Sequence, residues 1–215
     1  MRVKVIMLPM KNLQCISIDE TIGEAMKKID DYNLLTLPVV EGTIFKGVLS
    51  KQYTYEMFFK EYTCSKEEFL QLKVRELMKT KIESIDKEMQ IEEAAALFIT
   101  SKVRFLPITN EKDELEGIVT QQAVFKHYQK QFGSPEYDSF TILCHDNKGT
   151  LKNIADVIAK GGANIKNMVY IDTGVMGIQE IFFRVETNNF DRLLDIMKKN
   201  KLDVRHVKRA EKTHS

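Results

Sequence analysis

The chain has 215 residues, a length that suits one to three small domains and is too short for a large enzyme. Hydrophobic residues make up 43% and charged residues 29%, the balance of a folded globular protein and not of a disordered one. Lys plus Arg number 32 against 31 Asp plus Glu, a net charge of +1, so there is no general field to draw nucleic acid.

No stretch approaches the roughly 18 apolar residues of a membrane-spanning helix. The apolar run near the N-terminus, beside Arg2 and Lys4, is only about five residues, shorter than a signal peptide needs. Cys15, Cys64 and Cys144 are far apart. They form neither a metal spacing nor a disulfide framework, which fits a reducing cytoplasm.

Two segments of the chain match each other. The first runs Cys15-Ile16-Ser17-Ile18-Asp19, then Ile22 and Ala25, then Leu37-Pro38-Val39-Val40, then Gly47-Val48-Leu49-Ser50. The second runs Ile82-Glu83-Ser84-Ile85-Asp86, then Ile91 and Ala94, then Leu106-Pro107-Ile108, then Gly117-Ile118-Val119-Thr120. The offset is 67 residues at the start, 69 through the helix and proline, and 70 at the glycine. The drift falls where loops belong, and a Met-Lys pair precedes each segment, at residues 10–11 and 78–79.

Each repeat predicts strand, helix, strand, strand, helix. In the first, Asp19 or Thr21 caps a helix whose apolar positions Ile22, Ala25, Met26 and Ile29 recur at three and four. Leu37 to Val40 is a short buried strand, Glu41-Gly42 a turn, and Thr43 to Ser50 a second strand. Tyr53, Met57 and Phe58 then share a helix face. Cys64 to Leu72 predicts a short charged helix, an insertion with no counterpart in the other repeat. In the second repeat, Ile91, Ala94, Ala95, Phe98 and Ile99 are expected on the apolar face of the first helix. Phe105 to Ile108 and Leu115 to Thr120 are strands around a polar hairpin loop, and Gln122 to Phe132 is a helix. Neither unit buries enough surface to stand alone, so the two pack into one domain. Its parts are motif one at 1–61, an insertion at 62–75 and motif two at 76–133.

Gly133-Ser134-Pro135 breaks the last helix and opens a linker, 134–138. The rhythm then changes. Strands are predicted over Phe140–Cys144, Asn164–Ile171, Ile178–Val185 and Asp203–Val207. Helices are predicted over Thr150–Lys160, ended by Gly161-Gly162, and Phe190–Met197. That order is the ferredoxin-like βαββαβ, an antiparallel sheet with two helices on one face. It occupies 139–209, with a frayed tail at 210–215. The fold class is therefore α/β (α+β).

The two repeats resemble CBS motifs, on Leu37-Pro38-Val39-Val40 with Gly47-Val48-Leu49-Ser50 and on Leu106-Pro107-Ile108 with Gly117-Ile118-Val119-Thr120. The pair would form one Bateman module. The last region resembles an ACT domain, on Asp146-Asn147-Lys148-Gly149-Thr150-Leu151 and Gly162-Ala163-Asn164-Ile165. A CBS pair followed by one ACT domain is similar in layout to AcuB-type proteins and to some bacterial CBS proteins that bind cyclic di-AMP. The resemblance implies a non-catalytic regulatory protein with an adenine nucleotide as ligand and no required cofactor. It also implies a homodimer and a protein target.

Carried over from the family, one cleft would use Ile16, Leu35, Thr36 and Leu37 with Val119 and Thr120. Its twin would use Glu83, Arg104, Phe105 and Leu106 with Leu49 and Ser50. Apolar side chains would cover a purine, backbone groups bond its rim, and a hydroxyl reach ribose or phosphate. The family's ribose-gripping Asp, three residues after the hydroxyl, is replaced here by Tyr53 and Ala123. That substitution favours cyclic di-AMP, which has no free vicinal diol, over AMP or ATP. Lys11, Lys51, Lys79, Lys102 and Arg104 lie near the cleft ends, and Arg104 can meet a phosphate bidentately.

Plain structural roles stand beside these. Ser50 and Thr120 can cap the helices that follow, Tyr53 can close the core, and the CBS pair can be an empty scaffold. In the last region, Asp146, Gly149 and Thr150 lead into a helix N-terminus that can meet a carboxylate. Asn164 and Ile165 open the next strand. Together they would form an amino-acid site, and an amino-acid sensor is the alternative function, alongside an AcuB-like accessory of carbon metabolism. Cys144-His145-Asp146 is no catalytic triad, because neighbours on a strand point to opposite faces. No metal site, P-loop or dinucleotide fingerprint is present in the sequence.

Overall fold

The computed structural model describes residues 1–61, 64–101 and 103–210. The chain divides into two compact units, Met1–Phe125 and Lys126–Ser215. The division falls inside a helix and ahead of Gly133, where the sequence pattern places it.

The first unit opens with β1 (Leu8–Pro9) and β2 (Ile16–Ser17), then α1 (Ile22–Asp31) and the hairpin β3 (Thr36–Glu41) and β4 (Ile44–Ser50). Next come α2 (Lys51–Lys60), α3 (Lys66–Gln71) and α4 (Val74–Leu77). The second motif supplies α5 (Ile91–Thr100), the hairpin β5 (Phe105–Thr109) and β6 (Leu115–Thr120), and the start of α6 (Gln121–Gln131). Thr21, not Asp19, caps α1. Its hydroxyl accepts from the Glu24 amide at 3.2 Å while the Glu24 carboxylate accepts from the Thr21 amide at 2.7 Å. Two otherwise orphaned donors are satisfied reciprocally. The helix then buries Ile22, Ala25, Met26 and Ile29, the stripe its three-and-four spacing dictates.

Strands β2, β3 and β4 form one three-stranded sheet, and β1, β6 and β5 form another. The duplication is visible in the registers. Ile16 bridges Val39 in parallel, and Ile85 bridges Ile108 in the same way. Leu37 faces Leu49, and Leu106 faces Val119.

The two motifs are locked by crossed segments. Strand β1, at the start of motif one, pairs with β6 of motif two: Leu8 faces Ile118 and Pro9 faces Gly117. Lys79, near the start of motif two, bridges Val48 of motif one, with both amides bonded to carbonyls, at 2.8 and 3.0 Å. Glycine stands at each crossing because a side chain would not fit. A Cβ on Gly117 would lie 2.5 Å from the Leu8 carbonyl oxygen, and one on Gly47 would strike that of Lys79. The hairpin loops also meet: the Phe45 amide donates to Asp113 at 2.9 Å and the Leu115 amide to Thr43 at 2.8 Å. Neither motif can thus complete its sheet alone, which is how a half-domain too small to fold by itself becomes stable.

The second unit contains β7 (Asp138–His145), α7 (Thr150–Lys160), β8 (Ala163–Asp172), β9 (Ile178–Thr187), α8 (Phe190–Lys199) and β10 (Asp203–Lys208). The sheet is antiparallel with spatial order β10-β7-β9-β8. One face carries the core, where Phe140 stacks on Phe183 at 5.6 Å beside the buried Ile154, Ile158, Leu193 and Met197. Each such side chain contributes about 1.5–3 kcal/mol by leaving water. No helix among the described residues is long and apolar enough to cross a membrane.

Candidate ligand site

Ser50 and Thr120 stand at the strand-to-helix junctions of the two motifs. The Ser50 hydroxyl accepts from the Tyr53 amide at 3.4 Å, and the Thr120 hydroxyl accepts from the Ala123 amide at 3.1 Å. Both therefore serve as caps, and each keeps its own O–H as a donor.

Beside Ser50 a cleft of about 510 Å³ opens. Thr36, paired with Ser50 across the first hairpin, forms one wall. Tyr53 follows on the first turn of α2. Lys79 enters from the crossed segment, Arg104 and Phe105 from the start of β5, and Gln121 from the start of α6. The Lys79 ammonium lies 4.1 Å from the centroid of the Tyr53 ring, a cation–π contact. Among the described residues neither Lys79 nor Arg104 has a carboxylate partner. Glu56 is the carboxylate in the lining, and it accepts from Gln52 at 2.9 Å. Two cations without a carboxylate partner, the hydroxyls of Thr36 and Ser50 and an aromatic face thus converge on one space. Such a set can hold an anionic ligand that also carries a flat apolar ring.

The structure redistributes the residues expected from the sequence. Ser50, Tyr53, Arg104 and Phe105 meet in this cleft, and Thr36, expected in the twin, joins them. Ile16, Leu37 and Leu49 have no exposed surface and pack in the core of motif one. Leu106 and Val119 are likewise buried. Packing has turned these five side chains inward, so they offer a base no exposed face. Glu83 is exposed and outside the cleft lining. The strand registers set Ile85 opposite Ile108 as Ile16 is opposite Val39. The counterpart of Ile16 is therefore Ile85, two residues beyond Glu83. Leu35 is exposed, with its carbonyl accepting from the Lys51 amide at 2.9 Å, and Thr120 keeps its cap. Of the other cations, Lys51 is paired with Asp30 at 2.5 Å, Lys11 is outside the cleft lining, and Lys102 lies outside the described residues. Gln121 and Ser101 also line the cleft; no repeat or motif marks them, and only the fold brings them there.

In the second unit, Asp146, Gly149 and Thr150 line a hollow of about 330 Å³ with Cys144, Tyr170 and Gln179. Gly149 holds φ +88° at the start of α7, a conformation that favours glycine. Desolvation, reinforced by the Asp146 carboxylate, raises the Tyr170 phenol and the Cys144 thiol above their ordinary values. Asn164 and Ile165 are elsewhere. Asn164 pairs with Glu186 near one end of β8, whereas Tyr170 pairs with Ile181 toward the other. Within one chain, three of the five expected residues share a hollow and two do not. Among the described residues there is no cluster of His, Cys, Asp or Glu able to hold a metal ion.

The CBS domain family model matches residues 3–52 and 74–130. A CBS domain-containing protein of Dictyostelium discoideum is 32% identical over 127 residues, covering 56% of this chain and 88% of that protein. The CBS domain-containing protein YhcV of Bacillus subtilis is 31% identical over 134 residues, covering 61% of this chain and 89% of its own. An inosine-5'-monophosphate dehydrogenase of Methanocaldococcus jannaschii is 26% identical over 117 residues; that stretch is 54% of this chain but 22% of the dehydrogenase. A second, from Korarchaeum cryptofilum, is 22% identical over 181 residues, 81% of this chain and 36% of the dehydrogenase. The chain thus spans well under half the length of either dehydrogenase.

Among solved structures, CBSX2 in complex with AMP superposes with a TM-score of 0.54 at 23% identity, covering 60% of this chain and 96% of that one. CbpB in complex with c-di-AMP superposes with a TM-score of 0.54 at 17% identity, covering 60% of this chain and 85% of that one. At these identities the likeness is one of fold.

Proposed function

The chain belongs to the CBS-domain family, and from that premise we propose that it is a regulatory protein that binds an adenine nucleotide in the cleft between its two motifs. Cyclic di-AMP is the favoured ligand, ahead of AMP and ATP, and the chain catalyses no reaction. One observation carries the preference. Tyr53 stands three residues after the Ser50 hydroxyl, and the cation over its ring is Lys79. A free ribose diol wants a carboxylate there; lacking it costs about 1.5–3 kcal/mol, or roughly 10- to 150-fold in affinity. A cyclic dinucleotide has no free vicinal diol, and its two phosphodiesters suit Lys79 and Arg104. The shared fold with AMP- and c-di-AMP-bound CBS proteins supports the class of ligand.

Isothermal titration with AMP, ADP, ATP and cyclic di-AMP at one ionic strength tests this. Cyclic di-AMP should bind tightest. Heat from none of them removes the reading, and AMP binding tighter than cyclic di-AMP overturns the preference.

The second unit is, on this reading, an ACT domain. Its βαββαβ chain order and its strand order β10-β7-β9-β8 are those of the ferredoxin-like arrangement. The protein acts in the cytoplasm as a homodimer, and nucleotide binding alters its hold on a protein target through a coupling of about 1–3 kcal/mol. A monomer mass in light scattering would defeat the dimer. The hollow at Asp146, Gly149 and Thr150 favours one further reading, an amino-acid sensor in this unit. A thermal-shift screen of the amino acids separates it from the nucleotide reading.

A further inference from the structure

The duplication sets the two motifs in register, and the chemistry at matching positions differs. Lys79 bridges Val48, and Leu8 faces Ile118 at the equivalent crossing. Arg104 immediately precedes β5, and Leu35 immediately precedes β3. Tyr53 follows Ser50 by three residues, and Ala123 follows Thr120 by three. Lys79, Arg104 and Tyr53 are thus answered at the twin positions by the aliphatic Leu8, Leu35 and Ala123, and Phe105 by Thr36. Two cations fall at twin positions. Lys51, which answers Gln121, is already held by Asp30 at 2.5 Å; Lys126 answers Glu56.

Lys79 also sits in a poised arrangement. Its backbone is fixed by two hydrogen bonds to Val48, so only the side chain can move. Its ammonium rests on the Tyr53 ring at 4.1 Å, with no carboxylate partner among the described residues. A phosphate offers charge-assisted hydrogen bonds, which outweigh a half-exposed cation–π contact.

We propose that the module takes one phosphate-bearing ligand per chain, in the Ser50 cleft and not in its twin. Lys79 and Arg104 hold the phosphate, and Lys79 leaves the Tyr53 ring on binding, which frees that ring for a base. This rests on the nucleotide reading above and specifies where the ligand sits and how many bind.

The test is titration of the full chain with cyclic di-AMP and, as a phosphate-only probe, tripolyphosphate. The variants are Lys79→Met, Arg104→Leu, Lys79→Arg, Leu8→Ala and Lys126→Met, with circular dichroism to check folding. The expected result is no more than one cyclic di-AMP per chain. Lys79→Met and Arg104→Leu should each weaken it at least about 10-fold, Lys79→Arg should restore most of the loss, and Leu8→Ala and Lys126→Met should leave it within about twofold. Two equivalents per chain, or a loss at Lys126 in place of Lys79, overturns the proposal while leaving nucleotide binding intact. Tripolyphosphate binding that depends on Lys79 and Arg104, without any nucleotide binding, would keep the anion site and remove the nucleotide reading. Binding of neither probe removes both.

Discussion

Replacing Gly117 with Ala places a methyl group 2.5 Å from the Leu8 carbonyl oxygen, 3.2 Å from the Pro9 Cα and 3.3 Å from the Leu8 carbonyl carbon. All three are backbone atoms, so no rotamer change relieves the contact; β1 must separate from β6. Overpacking of this kind costs about 1–3 kcal/mol. Loss of a crossing hydrogen bond adds about 1 kcal/mol. Gly117→Ala should therefore destabilise the first unit by roughly 2–4 kcal/mol. Gly47→Ala should cost more, because its Cβ would strike the Lys79 carbonyl and its φ is +153°, a backbone region that side chains disfavour. Gly42→Ala is the control: its φ is +62° but nothing lies within 4 Å of the added carbon, so it carries only the conformational cost of about 1 kcal/mol. Urea unfolding followed by circular dichroism measures all three, with the two units allowed separate transitions. If Gly117→Ala is no worse than Gly42→Ala, the crossed segments do not lock the motifs together.

Three further outcomes follow from single sites. Thr21→Ala removes the cap of α1 and should cost about 1 kcal/mol. The Thr21 amide, and after it the hydroxyl, holds the Glu24 carboxylate below its ordinary value, so the stability it brings is present at neutral pH and lost as pH falls through that lowered value; Thr21→Ala keeps the amide and removes the hydroxyl, so the acid limb of the stability profile should become shallower without vanishing. Burial pushes the Cys15 thiol up to about 11 from an ordinary 9.0, with Lys28 opposing. Its neutral form is the one the fold favours, so stability should fall as pH rises from about 9 toward 11, and the native chain should be alkylated at Cys15 far more slowly than a free peptide thiol at pH 8. Phe140→Ala, at a fully buried ring stacked on Phe183, should cost the second unit about 3–5 kcal/mol, seen as a lowered Tm.

Much of the fold is legible in the sequence because periodicity and turn chemistry agree. The helix over Thr150–Lys160 and the strand over Leu115–Thr120 begin and end where the pattern sets them, since Gly149, Gly161 and the Thr120 cap punctuate both. The crossed segments are not legible. Strand β1 is two residues long, and Lys79 pairs as a single bridge; neither has an alternation to detect. The start of motif two is misaligned by two residues in the sequence match, because loop drift hides the partner of Ile16 until the strand registers show Ile85. The candidate site is legible only in part. The hydroxyls and Arg104 stand out by type and place, but Leu37, Leu49 and Val119 read the same whether they face a ligand or a core. Burial decides that, and burial belongs to the fold. The hollow near Asp146 misses Asn164 and Ile165 for a similar reason: nearness in motif is not nearness along a strand.

Two-dimensional NMR of the isotopically labelled chain, with and without cyclic di-AMP, tests the central claim most directly. The account predicts that the largest shifts fall on the Ser50 and Tyr53 amides, the Arg104 guanidinium and the Tyr53 ring. Shifts confined to residues around Thr120 and Ala123, or to the second unit, would contradict it, as would no shift at all at saturating nucleotide.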